Sequence, residues 1–419
     1  MEQVFKQLFS GNQYIIDILL VVTLAGIAIG RIPRLRMNRA SIAFAGAALL
    51  LLTGAIAPEE ALKSIDLGTL ILILSMMIIT ANLKFSGFFD LASTTVLRLA
   101  HTPRRLLLFI MVTSGLLSAL FLNDTICIMM TPLVASLVLR ARRNPLPYLI
   151  ALAVSANIGS AATIIGNPQN MLIGASSGIS FVRFTNYLWL PSFVGILIAY
   201  GIVLIVFPKE FTSTTVINLP ADGGKKENRL FRPLLYKSGI AIGIMTVCFV
   251  LDMPVYEAAM LGAALLLITR RIKPERVFAE LDWTIVAFFG GLFIITAAVA
   301  RTDAFQFFVQ KGMPLVGGSL ANFSIFTLLL SNLISNVPAV MLMRPLVSYF
   351  DNPEKAWLVM AMASTYAGNL TLLGSVANLI VAEGAKRFGV EIRFIDYLKV
   401  GLPVTLITIA LGTWWLLLV

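Results

Sequence analysis

The chain has 419 residues, 58% of them hydrophobic and only 13% charged, and its mean hydropathy is +0.90. So little charge on so long a chain excludes a soluble globular protein and points to one that crosses a bilayer many times. The net charge of +11 would suit nucleic acid, but the basic residues sit in short segments between apolar runs. That is the positive-inside pattern of a membrane protein, with those segments in the cytoplasm, and no nucleic-acid partner is expected.

The opening residues, MEQVFKQLFSGNQYIIDILLVV, lack a basic leader followed by a small-residue cleavage site. A retained first helix is therefore expected rather than a signal peptide. With the basic segments 31–39, 84–105, 140–143, 209–237, 270–276 and 386–399 on one side, crossings fall at 14–30, 40–57, 67–83, 147–180, 187–207, 238–251, 255–269, 283–300, 356–383 and 400–419. These ten predicted crossings place both termini outside a multi-pass cell (inner) membrane protein. No alternating strand pattern of the kind a membrane barrel needs is present, so the fold class is an all-α polytopic membrane protein. Two spans, 147–180 and 356–383, are too long for one straight helix.

The stretch 106–139 has Arg104 and Arg105 before it and Arg140, Arg142 and Arg143 after it. Both ends are then cytoplasmic, so the segment enters the membrane and turns back, near Asn123-Asp124-Thr125. A similar stretch, 314–350, enters from the outside and turns at Ser335-Asn336. Two short full crossings in each stretch would leave the ends on the same sides.

The chain repeats itself. AGAALLLLTGAIAPEEALKSID at 45–66 resembles LGAALLLITRRIKPERVFAELD at 261–282, an offset of 216 residues. Further on, NDTICIMMTPLV pairs with NVPAVMLMRPLV, AATIIGNPQN with NLTLLGSVAN, and VRFTNYL with IRFIDYL. An odd number of crossings precedes the second copy, so the two copies have opposite orientation. The organisation expected is a first inverted repeat at 1–207, a polar cytoplasmic linker at 208–237 and a second repeat at 238–419. Inverted repeats that bind their cargo at the midplane characterise secondary transporters.

Four polar breaks interrupt apolar surroundings. Two are the hairpin turns, Asn123-Asp124-Thr125 and Ser335-Asn336-Val337-Pro338; two fall in the over-long spans, Gly166-Asn167-Pro168-Gln169-Asn170 and Gly374-Ser375-Val376-Ala377-Asn378. Proline removes a backbone donor and glycine permits unwinding. Irregular backbone at membrane depth is tolerated where it is buried in protein or lines a wet cavity. There, helix N-termini present partial positive charge to an anion and freed carbonyls can hold a cation. A single membrane asparagine is usually an interhelical hydrogen bond; four breaks at repeat-related positions instead mark a shared binding site. Asp124 stands out, because a charge at helix-centre depth costs roughly 2.5–3.5 kcal/mol on insertion scales and needs a partner or a function. Arg344 is the other unusual charge in a hairpin, drawn either to an anionic substrate or to the outer interface. Asp66 and Asp282 read as helix N-caps. His101 reads as an interfacial residue, and Cys127 and Cys248 as two buried thiols with neither disulfide nor metal.

FLNDTICIMMTP, SANIGSAATIIGNPQNMLIG, SNLISNVPAVMLMRP and GNLTLLGSVANLIVAE together resemble the ion transporter superfamily, in its arsenite permease and anion permease branch. Relatives of that branch are sodium/proton antiporters and sodium-coupled dicarboxylate and citrate carriers. The resemblance implies two re-entrant hairpins meeting two broken helices in a transport domain, within a homodimer. By motif, it assigns substrate or coupling-ion binding to Asn123, Asp124, Thr125, Gly166, Asn167, Asn170, Ser335, Asn336, Val337, Gly374, Ser375 and Asn378. The dicarboxylate carriers show Ser-Asn-Thr at both tips, whereas here the tips read Asn-Asp-Thr and Ser-Asn-Val. The added carboxylate suits proton coupling or a small, often neutral cargo such as arsenous acid. The expectation is a secondary transporter of a small inorganic anion or metalloid, foremost arsenite or antimonite efflux driven by H+ or Na+. The alternative is a sodium-coupled dicarboxylate or citrate carrier, or a sodium/proton antiporter. No cofactor is expected. No G-x-x-x-x-G-K-[ST] motif occurs, so coupling to ATP would need a separate ATPase subunit. No Ser–His, paired-Asp or H-E-x-x-H arrangement suggests an enzyme.

Overall fold

The computed structural model describes residues 13–30, 37–212, 230–268 and 272–419. Most of the linker expected at 208–237 lies outside the described residues, as do the start of the chain, most of the basic segment 31–39 and Arg270-Arg271. The architecture is helical, with no strand among the described residues. Six helices are long and apolar enough to cross a membrane, alongside several shorter apolar ones.

Helix α1 (Gln13–Ile29) packs on α2 (Arg39–Leu52), and a short α3 (Pro58–Ser64) leads into α4 (Leu67–Ser86). The boundaries follow from local chemistry. Asn38 Oδ1 accepts the Ser41 N–H at 2.9 Å, Asp66 Oδ1 accepts that of Thr69 at 2.9 Å, and α4 stops at Gly87 with φ +78°. A short acceptor side chain at the first position and a left-handed glycine after the last are the usual helix boundaries. Asp282 caps its helix as Asp66 does, accepting from Thr284 N at 3.0 Å, so both act as the caps the sequence implied.

Helix α5 (Phe88–Leu99) is amphipathic and falls outside the predicted crossings. It leads to the first hairpin, α6 (Pro103–Leu120) and α7 (Asn123–Arg140). The turn is Phe121-Leu122, two residues earlier than expected, and Asn123-Asp124-Thr125 form the first turn of α7. Side chains with acceptor oxygens favour a helix N-terminus; here Asn123 Oδ1 accepts the Asp124 N–H at 2.9 Å.

The over-long span at 147–180 is two helices, α8 (Pro145–Ser160) and α9 (Pro168–Ser177), separated by an irregular loop. After α10 (Phe181–Val206) and a single turn, α11 (Pro208–Phe211), come α12 (Arg232–Val250), α13 (Val255–Leu267), α14 (Pro274–Ala279) and α15 (Trp283–Val299). A second amphipathic helix outside the predicted crossings, α16 (Asp303–Val316), precedes the second hairpin. That hairpin is α17 (Leu320–Ile334) and α18 (Asn336–Met343), extended by a 3-10 turn at Arg344–Tyr349. The second over-long span is likewise broken, into α19 (Pro353–Ala367) and α20 (Val376–Lys386), before α21 (Phe394–Leu418).

Contacts along α10 give the depth of the hairpin tips. A Cβ on Gly115 of α6 would meet Ile196 of α10. From that level α6 runs five residues to its end, about 7 Å, whereas α10 runs fifteen residues to Phe181, about 22 Å. The first tip therefore stops well short of the far end of α10. In the second hairpin, Ser324 of α17 accepts from Thr413 of α21 at 2.8 Å. Beyond that level α17 runs about 15 Å to its tip, and α21 about 28 Å to Phe394. The hairpin bases lie at opposite ends of α10. Arg104, at the first base, donates to Phe211 O at 3.0 Å just past the C-terminus of α10. Glu354, following the second hairpin, pairs with Arg183 at the N-terminus of α10.

Other polar contacts separate the same two faces. Lys84 pairs with Glu280 and Tyr148 donates to Glu210 at 3.2 Å, on the face that carries most of the basic segments. On the other face Arg301 donates to Glu60 at 2.5 Å, and that hydrogen bond holds the Glu60 carboxyl below the usual carboxylate range. Cys127 and Cys248 are both free thiols; Cys127 is buried as expected, but Cys248 is only half-buried, on α12, most of whose length is not buried within the protein. Arg344 is exposed at the start of the 3-10 turn rather than buried within the hairpin.

Candidate functional site

The two breaks are built with the same bonds. Asn170 donates through Nδ2 to Ser160 O (3.2 Å) and Thr163 O (3.0 Å). Asn378, 208 residues on, donates to Gly368 O (2.7 Å) and Thr371 O (3.1 Å), carbonyls ten and seven residues before it, as in the first break. Each asparagine thereby closes the loop that the interrupted helix leaves open, taking up carbonyls that have no helical partner. Asn167 Oδ1 caps α9 through Asn170 N at 2.9 Å, and Ser375 Oγ caps α20 through Ala377 N at 3.2 Å. A glycine precedes each cap, required in the first break and closely fitted in the second. A Cβ on Gly166 would lie 2.2 Å from Ser160 O, and one on Gly374 would lie 3.0 Å from Gly368 O.

The first hairpin tip docks on the first break: Asn123 N donates to Gly166 O at 3.0 Å, and Thr163 Oγ1 donates to Ala119 O. Around the tips and breaks lies a cavity of about 1150 Å³. Asn123, Asp124 and Thr125 line it, as do Ser335, Asn336 and Val337, and Ser375 from the second break. Gly166, Asn167, Asn170, Gly374 and Asn378 lie behind this wall and are buried, with the polar atoms of the asparagines engaged in the loops just described. All four helices that begin at a tip or a break, α7, α9, α18 and α20, present their first residues to the cavity: Asn123, Pro168, Asn336 and Val376. Four partial positive charges thus converge on one space.

The cavity extends to the basic face. There its wall carries Arg39, Lys84 and Lys386 against Glu280, Asp282 and Glu383. Lys84 is paired with Glu280 and Lys386 with Glu383. Counting Asp124, the wall holds three basic and four acidic side chains. Ser335 joins the second hairpin with φ +80° and ψ 157°, a conformation that L-residues rarely adopt and that tends to concentrate at functional sites.

Sequence reasoning passed over several residues. Gln169 lines the cavity beside Asn167 and sits in the quoted GNPQN motif. Arg39 and Asp282 also line it, though from sequence Arg39 reads as part of a basic segment and Asp282 as a helix N-cap. Beside the breaks, the buried Ser118 Oγ, Ser331 Oγ and Asn332 Oδ1 have no hydrogen-bond partner, and no periodicity singles them out; Asn336 Oδ1, at the turn the sequence did mark, has none either. Among the described residues no cluster of His, Cys, Asp and Glu is arranged to hold a metal ion.

Comparison with known proteins agrees with this architecture. The chain matches the citrate transporter family, CitMHS, over residues 19–367. It is 30% identical to the 46 kDa membrane protein of Mycobacterium leprae, over 90% of this chain and 93% of that one. It is 30% identical to the silicon efflux transporter LSI3 of rice (Oryza sativa), over 91% and 93%. It is 25% identical to a Dictyostelium discoideum protein named "Putative transporter arsB", over 97% and 92%. Among solved structures, the fold is similar to the YdaH transporter of Alcanivorax borkumensis (TM-score 0.54, 15% identity, 97% of both chains). It is also similar to MtrF of Neisseria gonorrhoeae (TM-score 0.59, 14% identity, 96% of this chain and 94% of that one). The motif resemblance to the anion permeases and the family match converge: the chain belongs to the citrate transporter family, CitMHS, within the ion transporter superfamily, and is a secondary membrane transporter rather than an enzyme.

Proposed function

We propose that this transporter moves a small oxygen-rich weak acid, foremost arsenite or antimonite, out of the cell by alternating access, with Asp124 carrying the coupling to a proton or sodium gradient. The observation that carries this reading is the convergence of four helix N-termini and the Asp124 carboxylate, at one of those termini, in a single cavity. Helix N-termini favour oxygen atoms with lone pairs or partial negative charge. Yet the cavity offers no surplus of cationic side chains. Lys84 and Lys386 are already paired, and Arg39 shares the wall with two further carboxylates, Asp124 and Asp282. Such a wall repels a multiply charged anion such as citrate and tolerates an uncharged hydroxide such as arsenous or silicic acid. The names of the Dictyostelium and rice relatives favour the same chemistry.

Asn123, Asp124, Thr125, Ser335, Asn336, Val337 and Ser375 form the contact surface in this reading. Gly166, Asn167, Asn170, Gly374 and Asn378 shape the breaks behind it. Ser118, Ser331 and the freed carbonyls supply oxygens of the kind a coupling Na+ takes. The halves 1–207 and 238–419 act as inverted repeats with re-entrant hairpins. The basic face lies in the cytoplasm, so the cavity as seen opens inward and both termini are outside. The second reading, a sodium-coupled citrate or dicarboxylate carrier, is favoured by the description of the family itself.

Everted membrane vesicles carrying the protein separate the two. Arsenite should accumulate above the level of empty vesicles only when a proton or sodium gradient is imposed. Asp124→Asn should abolish that accumulation while leaving the amount of inserted protein unchanged. Movement of citrate or succinate without arsenite would remove the metalloid assignment. Unaltered pH and Na+ dependence in Asp124→Asn would remove the coupling role.

A further inference from the structure

Two buried residues stand at neither a tip nor a break, yet they hold both together. Asn157, near the end of α8, makes four side-chain hydrogen bonds. Its Nδ2 donates to Asn369 Oδ1 and Asn378 Oδ1, both at 2.9 Å. Its Oδ1 accepts from Asn123 Nδ2 and from Ser375 Oγ, both at 3.1 Å. One side chain from the first half thus joins the first hairpin tip to the break of the second half. Thr365, 208 residues on and near the end of α19, holds the break of the first half from the second. Its Oγ1 accepts from Asn167 Nδ2 (3.2 Å) and Gln169 Nε2 (3.3 Å) and donates to Asn170 Oδ1 (3.4 Å). The helix of each half braces the break of the other.

The orientation of the amides in this network is set from one end. Gly368 O and Thr371 O can only accept, so Asn378 must turn its Nδ2 to them. Asn378 Oδ1 then accepts a hydrogen bond from Asn157 Nδ2, which leaves Asn157 Oδ1 to accept from Asn123 Nδ2. Asn123 Oδ1 is left to accept the N–H of Asp124. Reversing any amide would bring donor against donor in a dry interior, at the cost of unsatisfied buried groups. A continuous chain of hydrogen bonds thus runs from the second break to the backbone of Asp124.

We propose that Asn157 and Thr365 are reciprocal positioning residues that couple the two half-sites, so that occupancy at the first tip sets the geometry of the second break and the converse. Neither side chain lines the cavity; both act through residues that do. The proposal rests on the tips and breaks being the transport site.

The test is non-additivity in KM for whichever of arsenite, silicic acid or citrate the vesicles accumulate. Asn123→Ala and Ser375→Ala are measured singly and together, in the native background and with Asn157→Ala. Residues in one hydrogen-bond network depart from independence by about twofold to over a hundredfold. In the native background the double variant should differ from the product of the singles by at least about threefold. With Asn157→Ala the two effects should multiply to within about twofold. Simple multiplication in both backgrounds, or equal non-additivity in both, overturns the coupling while leaving the site intact. If neither single change alters KM, the site assignment falls and the coupling falls with it. Should Asn157→Ala fail to insert, the Thr365 arm decides: Asn167→Ala and Gln169→Ala, which remove the two donors to Thr365 Oγ1, combined with and without Thr365→Val, which replaces the hydroxyl by a methyl. Thr365→Val should abolish their non-additivity and Thr365→Ser should restore it; no difference between Thr365→Val and Thr365→Ser refutes the proposal.

Discussion

Replacing Gly159 by alanine puts a methyl group where α6 and α8 touch backbone to backbone. A Cβ at Gly159 would lie 2.1 Å from Gly115 O and 2.4 Å from Gly115 Cα. An ordinary C–H···O contact is about 3.3 Å or more, so the helices must part by roughly 1 Å at that level. Neither obstructing atom belongs to a side chain that can rotate away. Overpacking of this kind costs about 1–3 kcal/mol. The displacement also reaches the tip, where Asn123 bonds to Asn157 Oδ1 at 3.1 Å and to Gly166 O at 3.0 Å. Stretched by roughly 1 Å, neither remains a hydrogen bond. At about 1 kcal/mol each, their loss removes roughly 2 kcal/mol of tip ordering, a factor of about 30 in apparent affinity. Thermal unfolding in detergent and KM in vesicles measure the two effects. Gly159→Ala should lower Tm and raise KM by tens of fold. Gly115→Ala should be milder, since its Cβ chiefly meets the movable end of Ile196. Gly201→Ala, with open space around its Cβ, should behave as the native protein. A Gly159→Ala protein with native Tm and native KM would refute the backbone contact and the dependence of the tip on it.

Asn170→Ala strands Thr163 O and Asn378→Ala strands Gly368 O, while Ser160 O keeps Asn167 Nδ2 and Thr371 O keeps Gly374 N. Each should lose about 1–3 kcal/mol and lower Tm by a similar amount; a large fall in one and none in the other would break the equivalence of the two loops. Ser335→Gly removes a left-handed strain worth about 1–3 kcal/mol along with one hydroxyl of the cavity wall. The variant should show a higher Tm together with a higher KM, and an unchanged Tm would show that Ser335 is not strained.

Much of this was legible in the sequence, for reasons that are local. Apolar runs between basic segments marked the helices, because a bilayer admits only segments that satisfy their own backbone. The over-long spans at 147–180 and 356–383 were readable as broken, since Gly166-Asn167-Pro168 and Gly374-Ser375 sit where a helix should continue. Helices α5 and α16 were missed because an amphipathic helix carries too much polarity to register as a crossing. The first turn was placed two residues late. Asn123-Asp124-Thr125 drew attention as polar, but they begin a helix, and the apolar Phe121-Leu122 make the turn.

What the sequence by itself determined is the class of protein, the hairpins and breaks, and the polar residues set into them. The charge pattern and the helix-breaking residues act within a few positions of themselves, so they can be read in order along the chain. What only the tertiary structure decided is which of those residues face a cavity and which hold its frame. Asn123 and Ser375 line it, whereas Asn170 and Asn378 are spent on closing loops. Asn157 and Thr365, unremarkable in sequence, join the halves through partners about two hundred residues away. A hydrogen bond across that separation leaves no spacing to read, because it depends on where two helices from opposite halves come to rest against each other.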